Sequence, residues 1–173
     1  VEAVRDWLRI EAPVGKPRRE HPKRPILGFE CTRRELSGQR VWGALRAHYT
    51  QPNRLFRHHF IVNYCPLIFL EDSGRNRTPD KLPKGEREKL FEVCARHLRR
   101  VVALLEAQWV IGIGAFATTR AQVVVPESVR VGTILHPSPA NPRANRDWQG
   151  VVRGQLEELG LCRKGRPARR SRT

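Results

Sequence analysis

The stretch His136-Pro137-Ser138-Pro139-Ala140-Asn141-Pro142-Arg143-Ala144-Asn145-Arg146 sets an imidazole at the head of a stiff, cation-bearing loop. Three prolines in six residues fix φ and stiffen the chain, and Asn141-Pro142 has the composition of an N-cap followed by the first helical position. The first amides of such a helix, together with Arg143 and Arg146, can meet phosphate. A rigid wedge beside a cationic helix end suits DNA held in a bent or opened form. A lone histidine at a strand end is also compatible with a packed, hydrogen-bonded core role, so the rigidity of the loop is what favours chemistry here.

A second candidate is Asn63, at the end of Val62-Asn63-Tyr64-Cys65-Pro66-Leu67. A carboxamide offers an acceptor and a donor side by side, matching the N3–H and O4 edge of uracil, whereas cytosine presents the opposite order. Because the amide can flip, discrimination requires neighbours that hold it one way. The competing reading is an asparagine that satisfies a turn before Pro66. A third candidate, Gly112-Ile113-Gly114-Ala115-Phe116-Ala117, matches a loosened dinucleotide fingerprint, GxGxxA. No acid closes the following strand to take a ribose hydroxyl, so glycines serving a tight turn and close strand-to-helix packing are the preferred explanation.

The elements that must position these groups follow from periodicity. Residues 36–48 carry Leu36, Val41, Trp42 and Leu45 near helical spacing, with Ser37 the expected N-cap. Phe60 to Cys65 is a β-branched and aromatic run stopped by Pro66 and reads as a buried strand. From Glu86 to Glu106, apolar residues recur at three- and four-residue steps between charges, the strongest helix pattern in the chain. Trp109–Gly114 reads as a strand, a short helix runs through Phe116 and Val123, and Val129–Leu135 is a further strand. The last helix is expected from Asn141-Pro142 to Leu159, ending at Gly160. Alternating strands and helices predict an α/β fold with a mainly parallel sheet flanked by helices. In such sheets ligands gather at the C-terminal strand ends, here Asn63, Gly112 to Gly114, and His136.

With 33 Lys and Arg against 17 Asp and Glu, the formal charge of +16 exceeds what solubility requires and implies an anionic partner, with nucleic acid the first candidate. The excess is spread along the chain: without the cations of the last eleven residues, Arg163 to Arg172, it is still +10. A second basic run, Lys16 to Arg24, is threaded with prolines and is expected to be extended and solvated. Runs of this kind are also found as plain solvated loops and tails. Residues 1–162 are expected to form one domain and 163–173 a disordered basic tail. Cys31, Cys65, Cys94 and Cys162 are widely spaced with no CxxC pair, which argues for free thiols rather than a disulfide framework or zinc cluster. No signal peptide or membrane span is expected. The chain has no methionine, even at position 1, and reads as a fragment.

Four segments in order, Glu20-His21-Pro22-Lys23-Arg24-Pro25-Ile26-Leu27-Gly28-Phe29-Glu30-Cys31, Val62 to Phe69, Ser73-Gly74-Arg75-Asn76-Arg77-Thr78-Pro79, and His136-Pro137-Ser138-Pro139, closely resemble the single-strand-selective monofunctional family of the uracil-DNA glycosylase superfamily. The resemblance covers roughly Val4 to Cys162. It implies a four-stranded parallel sheet between helices, the first strand being missing from this chain. It also implies excision of uracil and some oxidised pyrimidines, such as 5-hydroxymethyluracil, from single- and double-stranded DNA in base-excision repair. DNA is the implied partner, with no metal or organic cofactor, no membrane, a monomeric state and a nuclear location. Carried over by position, His136 would donate to uracil O2 and stabilise charge on the departing base, Asn63 would read the flipped base, and Pro137 to Arg146 would be the wedge. The family's Gly-Met-Asn-Pro-Gly segment, whose asparagine positions the attacking water, precedes the point where this chain begins. The fragment is therefore expected to be weakly active or inactive. Ala140 stands where family members tend to carry arginine, which predicts weaker opening of duplex DNA. Two other classes compete: a non-catalytic basic nucleic-acid-binding module and, on the glycine motif, a dinucleotide-dependent oxidoreductase.

Overall fold

The structure, a computed structural model, describes residues 2–33 and 35–162, and the expected tail at 163–173 lies outside them. Among the described residues six α-helices and four strands follow in the order α1 (Glu2–Leu8), α2 (Leu36–His48), α3 (Pro52–Phe56), β1 (Phe69–Leu70), β2 (Asn76–Arg77), α4 (Lys84–Leu104), β3 (Trp109–Ile113), α5 (Ala115–Val124), β4 (Arg130–Ile134) and α6 (Pro142–Glu158). β3 and β4 pair in parallel, from Trp109 opposite Arg130 to Ile113 opposite Ile134, with α5 as the crossover between them. β1 and β2 form a separate two-residue antiparallel pair, closed by a bidentate Arg77–Glu71 contact at 2.6 and 2.7 Å.

The pleat of β3 sorts its side chains into two cores. Ile111 and Ile113 face α6 and α2, where Ile134, Ala144, Trp148 and Val152 are buried against Val41 and Ala44. Val110 faces α4 and α5, where Leu98, Val102 and Val124 are buried with Tyr64, Ala107 and Val129. Gly112 lies on this second face because Thr118 of α5 sits against it, in space that a β-carbon would need. The Thr118 hydroxyl, itself buried, donates to Gly114 O at 3.0 Å and accepts from Thr133 Oγ1 at 2.9 Å. The result is a three-layer α/β arrangement, as the sequence pattern predicts, with the glycine motif spent on packing.

Several expectations need correction. Among the described residues the parallel sheet has two strands, where the sequence leads us to expect three of the family's four in this chain, and the one that is lacking is Phe60–Cys65. Phe60–Cys65 forms no ladder: Phe60 is 58% and Val62 38% exposed, and no described strand pairs with the run. β propensity measures fit to a half-buried pleated surface, and without a neighbouring strand it cannot be satisfied. Residue 64 is held through its side chain instead, as described below. The N-cap of α2 is Glu35, not Ser37; its carboxylate accepts from the amides of Ser37 and Gly38. α6 is broken at Asp147 (φ −159°, ψ 80°), whose carboxylate accepts from Gly150 N at 2.8 Å and starts a second helical segment. Of the four cysteines, all free, only Cys94 is buried. Among the described residues no helix is long and apolar enough to cross a membrane.

Candidate active site at the strand ends

β3 and β4 finish side by side, and the ladder runs one bond further, from Gly114 N to Ile134 O at 2.8 Å. The next residue, Leu135, has no strand partner, and two side chains of α6 complete its backbone bonding. Gln155 Oε1 accepts from Leu135 N at 2.8 Å, and Trp148 Nε1 donates to Leu135 O at 2.8 Å. The backbone entering His136 is thus bonded on both sides by a helix that belongs to the core.

His136 is exposed, and its Nδ1 accepts the Ser138 amide at 3.1 Å. With Nδ1 the acceptor, Nε2 carries the proton and is left to donate. Residues 138–141 close a β-turn, Asn141 N to Ser138 O at 3.0 Å, with Pro139 at the position that proline presets. The Ser138 hydroxyl takes the Ala140 amide at 3.2 Å and Asn141 Oδ1 takes the Arg143 amide at 3.0 Å. Asn145 Nδ2 bonds Pro139 O at 2.8 Å. From α2, Arg40 donates to Pro137 O at 2.8 Å and to Asn145 Oδ1 at 2.9 Å.

The segment expected to meet DNA does not reach solvent uniformly. Pro137 is fully buried, and Ala144, 3% exposed, faces the core with Trp148 and Val152, because positions 144, 148 and 152 share one helical face. These two shape the loop from within. Pro139, Ala140, Pro142, Arg143, Asn145 and Arg146 are exposed, with Ser138 and Asn141 half-buried. Among the described residues Arg143 and Arg146 form no ion pair, and Arg40 is bonded only to neutral acceptors, so this end of the molecule is cationic. The break at Asp147 confines the first helical segment to about one turn, so these arginines rather than a long helix dipole supply the attraction for phosphate.

Asn63 is placed by its neighbour Tyr64. Tyr64 donates its hydroxyl to Phe91 O of α4 at 3.1 Å and stacks edge-on with Phe116 in the first turn of α5, the ring centroids 5.9 Å apart. Phe116 lies two residues beyond Gly114, which packs directly on His136. Tyr64 thus ties the Asn63 segment to α4 and α5, and among the described residues the side chains of Asn63 and His136 share no hydrogen bond. The Asn63 carboxamide is exposed and makes no hydrogen bond among the described residues, so no neighbour there sets its orientation.

Sequence reasoning missed Arg40, Gln155 and Tyr64. Arg40 had one signal: it precedes Val41 and stands one turn before Ala44, on the apolar side of α2 where a cation needs a partner.

No family model matches the chain. Its sequence is 48% identical over 165 residues to the protein of Mus musculus named single-strand selective monofunctional uracil DNA glycosylase, across 93% of this chain and 59% of that protein. The likenamed proteins of Bos taurus and Rattus norvegicus match at the same identity and span, over 60% and 59% of their lengths. The chain thus spans about three-fifths of the curated relatives it matches. Over that shared stretch, with His136-Pro137-Ser138-Pro139 at the strand end and two side chains bracing it from behind, the chain is similar to proteins named single-strand selective monofunctional uracil DNA glycosylase.

Proposed function

We propose that this chain carries the residues with which a monofunctional DNA glycosylase binds uracil and stabilises its departure. The observation that carries the reading is His136, held on a rigid turn with Nδ1 occupied by the Ser138 amide and Nε2–H left to donate. In the reaction, water bonds to the sugar C1′ and the C1′–N1 pair leaves with the base, so negative charge grows on uracil O2, where a preplaced donor is most effective. Asn63 would take the N3–H and O4 edge of the flipped base; with no described neighbour fixing its carboxamide, this contact binds uracil without by itself excluding cytosine. Pro139 and Ala140 form the tip that enters the duplex, with Arg143 and Arg146 on the flanking phosphates. Uracil and some oxidised pyrimidines, including 5-hydroxymethyluracil, would be released from single- and double-stranded DNA, leaving an abasic site for base-excision repair in the nucleus. The enzyme would act as a monomer without metal or organic cofactor.

Among the described residues, the Ser138 amide is the one hydrogen-bond partner of the His136 ring, and no carboxylate bonds to that ring. The 173-residue chain alone is accordingly expected to release uracil slowly or not at all. A chimera carrying the mouse relative's residues ahead of the matched stretch supplies the comparison. The chimera should excise uracil from a single-stranded oligonucleotide, and His136→Ala should slow it by on the order of 10²-fold or more. An undiminished His136→Ala chimera would refute the role of the imidazole. Salt-sensitive DNA binding with no excision by the chimera would favour a non-catalytic binding module.

A further inference from the structure

We infer that Arg40 is a positioning residue for the glycosylase site, the clamp that fixes the His136 loop against the rest of the fold; this rests on the function proposed above. Three contacts carry it. Arg40 donates one guanidinium nitrogen to Pro137 O at 2.8 Å and the other to Asn145 Oδ1 at 2.9 Å, and Asn145 passes the connection on through Nδ2 to Pro139 O at 2.8 Å. Both ends of the 137–139 segment are thereby tied to one side chain of α2, 97 residues earlier in the chain.

The geometry asks for arginine. Pro137 and Pro139 carry no amide hydrogen and the Ser138 amide is already given to His136, so the backbone of these two prolines can be anchored only through their carbonyls, by donors. A planar guanidinium presents two nitrogens in a fixed fork that spans two acceptors at once; a lysine ammonium reaches one of them without that preset angle. Asn145 is oriented by the same contact, because an amide that accepts from Arg40 through Oδ1 must direct Nδ2 elsewhere, and here it meets Pro139 O. The bond from Ser138 N to His136 Nδ1 lies inside the clamped segment, so loosening the clamp frees the turn that orients the imidazole. Arg40 also has no carboxylate partner among the described residues, and its charge stands behind the loop expected to face DNA.

Two measurements separate this role from plain structural support and from failure of the functional reading. Amide hydrogen exchange on the 173-residue chain, needing no activity, should show Ser138, Ala140 and Asn141 losing protection by at least tenfold in Arg40→Gln while the β3 and β4 amides keep theirs; uniform loss or no loss overturns the clamp. In the chimera, Arg40→Gln should lower kcat by on the order of 10²-fold with KM for a single-stranded substrate little changed, since a displacement of about 1 Å is enough for that. Arg40→Lys should recover part of the loss, and Asn145→Ala should add little to Arg40→Gln. A normal kcat in Arg40→Gln, or purely additive losses, overturns the positioning role. A chimera with no activity, alongside the expected exchange pattern, would leave the clamp standing and reject the glycosylase reading.

Discussion

Gly114 has no side chain because His136 occupies the space: a β-carbon at Gly114 would lie 2.9 Å from His136 Cβ and 3.2 Å from its Cδ2. The glycine that resembles half of a dinucleotide fingerprint is the floor under the imidazole. Its backbone, φ 92° and ψ 164°, belongs to a region essentially reserved for glycine, so strain and collision act together at this position.

Gly114→Ala should therefore destabilise the fold by about 1–3 kcal/mol, the cost of holding a side chain in that conformation. It should also push the imidazole off its position. Urea unfolding measures the first effect and the chemical shifts of the His136 ring the second. An unchanged midpoint with an undisturbed ring would show that the contact yields freely.

The break in α6 gives a second expectation. Asp147 Oδ1 accepts from Gly150 N, the arrangement of an N-cap inside what the sequence presents as one helix. Asp147→Ala should cost about 0.5–2 kcal/mol, and Asp147→Asn, which keeps the acceptor, much less. Equal losses in thermal or denaturant unfolding would mean that charge rather than the cap is what counts.

Cys94 is a test of the α4 side of the core. Burial pushes its thiol up to about 11, with the neighbouring Cys65 adding to the shift, so the reactive thiolate is scarce at pH 8. In native protein alkylated at that pH and read by mass spectrometry, Cys94 should be labelled last, and promptly only after unfolding. Early labelling would mean that α4 opens easily from Tyr64 and α5.

A pH dependence follows from His59. Its Nε2 meets the Tyr49 hydroxyl at 2.5 Å, and burial, helped by the adjacent His58, holds its pKa below the ordinary 6.5. Between the two values the unfolded chain binds the extra proton and the folded one does not, so stability is full above 6.5 and declines as pH falls through the depressed value. His59 is exposed to solvent, which screens its charge, so the decline is modest. His59→Gln should flatten the slope of stability between pH 7 and 5, and a slope identical to wild type would assign the dependence elsewhere.

The sequence by itself determined the local terms. Helical spacing located α4, the cap at Asn141-Pro142 located the start of α6, Gly160 its end, and β-branched runs located β3 and β4. The proline pattern after His136 announced a rigid turn, and Ser138 to Asn141 form one. These features depend on neighbours within a few residues, and composition is enough to set them. Tertiary structure alone decided which distant groups close the remaining bonds. Phe60–Cys65 has the propensity of a strand, yet a strand exists only with a partner, and Tyr64 is held by Phe91 and Phe116 instead. Ala144 lies in the stretch expected at the DNA but faces inward, because its helix packs that side against Ile134 and Val41. Gln155, Trp148 and Arg40 supply hydrogen bonds to Leu135 and Pro137 across 20, 13 and 97 residues, and no local pattern carries the distance between a donor and the carbonyl it will meet.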